Sequence, residues 1–135
     1  MDGYRRLQLF YQDRSKDVEI VTGTEDYASS LVPRNAFHIL YIQRITLVIS
    51  THSAGKIITF QDQSNTPLQF GAHTDAAAAA GVLDSIVYDF GPDGKACGLG
   101  KAFDILQSAA GIGGSVHIDA YERPMNGISA AQMIA

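Results

Sequence analysis

An all-β fold, an antiparallel β-sandwich of about seven or eight strands, is predicted by three features of the sequence. Between Ala36 and Tyr121, runs of four to eight residues rich in Ile, Val, Phe, Tyr and Thr recur. Clusters of Gly, Pro, Asn, Asp or Ser separate them. Within the runs, apolar and polar residues alternate with a period of two rather than 3.6. Such alternation lets each sheet bury one face only, as antiparallel sandwiches do and doubly wound parallel sheets do not.

The elements follow in chain order. Residues 1–35 mix charges around one possible strand, Val18 to Thr22, and are expected to form an N-terminal arm or a peripheral strand. Residues 36–123 carry the sandwich. In the run from Ile45 to Ile49, Ile45, Leu47 and Ile49 should face inward, followed by Ile58 and Phe60 in the run from Lys56 to Gln61. Ser53-Ala54-Gly55 and Ser64-Asn65-Thr66-Pro67 join runs close enough to pair as hairpins, giving a meander, and Pro67 belongs at a strand start or edge. Asp75 followed by Ala76 to Ala80 combines an N-cap residue with good helix formers, but it is too short and too plain to exceed one helical turn within a loop.

Further along, Ile86, Tyr88 and Phe90 share one face, and Gly91-Pro92-Asp93-Gly94 presets a type I turn because Pro92 fixes φ at its second position. Phe103 to Gln107 reads as a strand, and Gly111-Ile112-Gly113-Gly114 as a hairpin loop tolerant of positive φ. In the last run Val116, Ile118 and Ala120 oppose Ser115, His117 and Asp119. Residues 124–135 are a short small-residue tail.

Composition narrows the function classes. At 135 residues one domain is expected, with a modest core because seventeen of the apolar residues are alanines. Ten Lys and Arg against fourteen Asp and Glu give a net charge of −4, so no electrostatic footprint for nucleic acid is expected. Cys97 is the one cysteine, which excludes an internal disulfide and fits folding in the cytoplasm. The first twelve residues lack the uninterrupted apolar core of a secretory signal, and the apolar-rich run from Ala36 to Ile49 is too short to span a bilayer, so no membrane partner is expected.

The chemical motifs are weak. His38, His52, His73 and His117 are never within five residues of one another, and His73 with Asp75 makes only one ligand pair. Cys97 sits in a glycine-rich loop, Lys95 to Lys101, where a small inert residue is expected. That loop departs from a phosphate-binding loop at two positions, with Lys95 where glycine and Ala102 where a hydroxyl would be needed. Asp84 and Asp89 flank one run at odd spacing and should face opposite sides, which does not suit paired-carboxylate chemistry. No catalytic, cofactor-binding or metal-binding residue is assigned, and no enzyme activity is expected.

The stretches Ile42 to Ile49 (IQRITLVI), Lys56 to Asp62 (KIITFQD), Val87 to Gly94 (VYDFGPDG), Gly100 to Ile105 (GKAFDI) and Gly113 to Tyr121 (GGSVHIDAY) occur in an order that resembles the small jelly-roll decoration, or cement, proteins of tailed bacteriophage capsids. The resemblance implies a non-enzymatic jelly roll that assembles as a homotrimer on the outside of the virion. It also implies the major capsid protein as partner, clamped through loops and terminal arms, and no cofactor. The alternative is a carbohydrate- or receptor-binding jelly roll of a phage fibre or tail, for which Tyr4, Tyr11, Tyr27 and Tyr41 would be the stacking platforms. A cupin-like metal enzyme would need two close histidines and a carboxylate, and the nearest pair is His38 and His52.

Overall fold

The structure is a computed structural model, and it describes residues 12–23, 26–79 and 81–124. Tyr4, Tyr11 and the expected C-terminal tail lie outside the described residues, apart from Pro124. Among the described residues ten strands occur and no helix. They are β1 (Gln12–Asp13), β2 (Lys16–Ile20), β3 (Asp26–Leu31), β4 (His38–Thr51), β5 (Ile57–Asp62), β6 (Gln69–Thr74), β7 (Asp84–Asp89), β8 (Lys95–Ala96), β9 (Phe103–Gln107) and β10 (Gly113–Pro124). Two antiparallel sheets pack face to face. One places β10 and β4 at its centre, with β1 and β2 on the outer edge of β10, and β7 and β8 on the outer edge of β4; the other runs β3-β9-β5-β6. The stretch read as an arm or peripheral strand thus supplies an edge strand to each sheet.

The pairing is nested. β5 pairs with β6, β4 with β7, β3 with β9 and β2 with β10, so the first half of the chain lies antiparallel against the second and the doubled strand wraps into two layers. This corrects the expected meander. Ser53-Ala54-Gly55 and Gly111 to Gly114 do not close hairpins, because the strands on either side lie in opposite sheets. Only Ser64 to Pro67 joins local partners, β5 and β6, with Pro67 just ahead of an edge strand as expected. Local alternation fixes which face of a strand is apolar; it carries no information on which strand lies alongside.

The core follows the predicted alternation. Ile45, Leu47, Ile49, Ile58, Phe60, Val116, Ile118 and Ala120 are all buried, with Ile86, Tyr88 and Phe90 packed against them. Aromatic rings join the layers: Phe60 meets Tyr88 edge-on at 5.6 Å between centroids and Phe70 meets Phe90 in the same manner, while Phe70 also packs edge-on against Phe103 within its own sheet. Gly71 makes room for this, since a Cβ there would lie 2.6 Å from the Tyr88 ring.

β4 contains one interruption of the period. Leu40 and Ile42 point inward at even positions, and Ile45, Leu47 and Ile49 at odd ones. The pairing with β10 accommodates the change by passing from Asp119↔Arg44 to Ala120↔Ile42 and skipping Gln43. Gln43 is therefore a β-bulge that lets one 14-residue strand keep both halves facing the core. Its carbonyl accepts Phe90 N–H, and its amide donates to Pro92 O, so the bulge also anchors the turn from Gly91 to Gly94.

Candidate functional site

The sandwich has two ends, where loops from different parts of the chain gather. The first end, where β10 finishes, gathers residues 32–37, 63–68 and 97–102. Asp62, the last residue of β5, organises it. Its fully buried carboxylate accepts Ser64 N–H and Leu68 N–H on Oδ1, and Gly98 N–H and the Ser64 hydroxyl on Oδ2, at 2.7–3.1 Å. Burial alone would raise the Asp62 pKa, but the bonds from Leu68, Gly98 and Ser64 outweigh it and lower the value. Cys97 is buried beside this carboxylate rather than lying in an open loop, and burial, with the Asp62 charge adding, pushes its thiol up to about 12. It is a core residue and a poor nucleophile.

Four large apolar side chains remain outside this end, Val32 among them. Phe37 is 75% exposed, and Leu68 and Leu99 are also exposed. The loops that carry them are tied down by hydrogen bonds: Gly100 N–H donates to His38 O, Cys97 N–H to Leu40 O, and the N–H groups of Leu68 and Gly98 to the Asp62 carboxylate. A rigid frame therefore presents an apolar surface to solvent.

At the opposite end lie residues 52–56, 75–79, 81–83 and 108–112. His52, just past β4, lies between two carboxylates from separate elements. Its Nδ1 is 2.9 Å from Asp75 Oδ1 and 3.8 Å from Asp84 Oδ2, and its Nε2 is 2.9 Å from Val82 O. The His52 and Asp75 side chains are 3% and 0% exposed, whereas Asp84 is half-exposed. Asp75 also accepts Ser53 N–H on Oδ2 at 2.7 Å. The contact with Asp75 raises the His52 pKa, helped by the Val82 carbonyl. Burial pushes the Asp75 carboxyl upward, and the bonds from His52, Ser53 and Ala76 reverse this to lower it. The segment after Asp75 is a loop, with no helical turn over residues 75–79, and Asp75 ties it to the 52–56 loop between β4 and β5. Beyond it, Leu83 is 65% exposed and Val82 is also exposed.

The outer face of the β10 sheet carries two further groups. His117 lies 2.5 Å from Asp17 and 3.0 Å from Asp119 through its two ring nitrogens, and these carboxylates raise its pKa. Tyr41 stacks on Tyr121 at 4.9 Å and lies beneath the Arg123 guanidinium. Nearby, the buried Glu122 carboxylate accepts from Arg14 and from Arg34 N–H and lies 2.5 Å from His38 Nδ1, which fixes residues 14, 34 and 38 around β10.

The ligand pairs considered from spacing do not come together. His38 and His52 sit at opposite ends of β4, and His73 lies on β6 paired with Ile58, while its neighbour Asp75 turns to His52. Asp84 and Asp89 face opposite sides as expected, and Asp89 serves the Gly91 turn and Arg44. Of the tyrosine platforms, Tyr27 bonds the Val21 backbone through its hydroxyl and Tyr41 is engaged by Tyr121 and Arg123. The chain matches no protein-family model, and no curated protein shows significant similarity to it.

Proposed function

We propose that this protein is a non-enzymatic structural component of a bacteriophage particle. In this reading it is a jelly-roll decoration protein that assembles as a homotrimer and binds the major capsid protein on the outside of the shell. The nested pairing of β2 with β10, β3 with β9, β4 with β7 and β5 with β6 supports the jelly-roll assignment, since a doubled strand wrapped into two layers is the connectivity of that fold. The observation that carries the binding role is the placement of exposed apolar side chains at both ends of one rigid body: Val32, Phe37, Leu68 and Leu99 at one, Val82 and Leu83 at the other. A cement must hold two neighbours at once. Two separated weak patches on a stiff spacer, repeated through a trimer, raise avidity without any deep pocket.

The test uses the purified full chain and particles assembled without it. The expected result is a trimer by light scattering, saturable binding to the shells, and at least a tenfold loss of binding in Phe37→Asp with the fold intact by circular dichroism. A monomer that ignores the shells would overturn the proposal. So would strong hits on a glycan array, which would favour a receptor-binding role.

A further inference from the structure

The trio His52, Asp75 and Asp84 does more than close the end of the sandwich; we infer that it is a binding site for one divalent transition-metal ion, zinc in the first instance. Three separate segments of the chain deliver one ligand atom each, all within 4.8 Å of one another. That spread can contract onto a cation bound at about 2.0–2.2 Å by side-chain adjustment alone.

The chemistry of the histidine is the stronger argument. A carbonyl oxygen only accepts, so the 2.9 Å contact with Val82 O requires Nε2 to carry a hydrogen. In neutral imidazole that leaves Nδ1 with its lone pair, and Nδ1 is the atom aimed at Asp75 Oδ1 and Asp84 Oδ2. A lone pair and two carboxylates facing one point repel one another unless a positive charge sits among them. Either a second proton or a metal ion supplies it. The arrangement is that of a ligating histidine: one nitrogen directed to the metal, the other held by a backbone carbonyl that fixes ring orientation.

The carboxylates favour the ion over the proton. Asp75 is fully buried and Asp84 half-exposed, so a single imidazolium would face two negative charges and leave an excess of one. A divalent cation with neutral imidazole balances the site. One nitrogen and two carboxylate oxygens form a mixed donor set suited to zinc, with Asp84 on the solvent side giving entry and leaving room for water. The ion would join β4, the alanine-rich loop and the start of β7, stiffening the surface that carries Leu83.

The experiment is calorimetric titration of the chelator-treated full chain with zinc, together with the absorption spectrum of the cobalt form. One equivalent is expected to bind, with a cobalt visible band typical of four or five ligands. Asp84→Asn, whose half-exposed side chain can change without unfolding the protein, is expected to weaken binding at least tenfold. Asp17→Asn, in the separate His117 group, should leave it unchanged. The inference is overturned if no stoichiometric ion binds, if Asp84→Asn binds like the parent, or if Asp17→Asn abolishes binding. Nitrogen NMR showing His52 doubly protonated in the presence of excess zinc would overturn it as well. None of these outcomes depends on capsid binding, so the two proposals fail separately.

Discussion

Replacement of Asp62 by alanine tests whether one buried carboxylate sets the geometry of the apolar end. Three backbone N–H groups, of Ser64, Leu68 and Gly98, lose a charged acceptor, and the Ser64 hydroxyl loses a fourth bond. Bonds to a charged group contribute about 1.5–3 kcal/mol each. Two effects reduce the sum: water reaches the half-exposed turn, and the variant no longer buries a carboxylate. A net loss of about 3–4 kcal/mol follows, a large part of the ~5–15 kcal/mol typical of a domain. With an m-value of about 1–3 kcal/mol/M, urea unfolding should shift its midpoint down by roughly 1–4 M. Asp62→Asn should be nearly as costly, because whichever oxygen becomes an NH2 then faces at least one backbone N–H. Cys97 reports the same event locally. Its burial and high pKa block thiol reagents in the native state, and Asp62→Ala should speed labelling about a hundredfold as the loop opens. The pH dependence has a definite sign. The folded pKa of Asp62 lies below the unfolded value of about 3.9, so its contribution is complete above that pH and is lost as pH falls through the folded pKa. A midpoint shift under about 0.3 M, with Cys97 as protected as in the parent, would refute the reasoning.

Two further outcomes are expected. Gly114→Ala should destabilise by more than about 3 kcal/mol or prevent folding, because a Cβ there would lie 1.9 Å from Val48 O and 3.0 Å from Ile49 Cα, both backbone atoms of the central strand; a melting temperature within a few degrees of the parent would contradict this. His117 has a folded pKa raised above its unfolded value of about 6.5, so its stabilisation is complete below that pH and fades as pH rises through the folded pKa. Its exposure limits the effect to a few tenths of a kcal/mol. An NMR titration should show the pKa falling toward 6.5 in Asp17→Asn, and an unchanged value would refute the pairing.

Period-two alternation made the faces of β4, β5, β7 and β10 legible in the sequence, because burial of one face is a local property of each strand. The partners were not legible. Whether Ile49 and Ile57 belong to one sheet or two depends on contacts made by β7, β9 and β10, far along the chain. The Gln43 bulge did leave a trace: Ile42 and Ile45 are three apart, which breaks the period, and an insertion at Gln43 or Arg44 restores it. The His52 group left none. Its members are separated by 23 and 9 residues, and only the nested wrap, which sets the loop after β6 against the loop after β4, brings them together. Histidine spacing searches for ligands on one element, so it weighed His73 with Asp75 and missed the partner across the end of the sandwich.

Asp62 and Asp75 show why one buried carboxylate is a structural pin and the other a candidate ligand. Both stand at the margin of the β5–β6 pair, and both accept backbone N–H groups from a neighbouring loop. Around Asp62 the four bonds come from uncharged donors that engage both oxygens, so its charge is spread over fixed dipoles. Around Asp75 the backbone N–H groups of Ser53 and Ala76 are neutral donors, while His52 is shared with a second carboxylate, Asp84, so two carboxylates converge on one imidazole. The difference predicts opposite responses to one perturbation. Added zinc should raise the melting temperature of Asp62→Asn as much as that of the parent, and that of Asp84→Asn hardly at all.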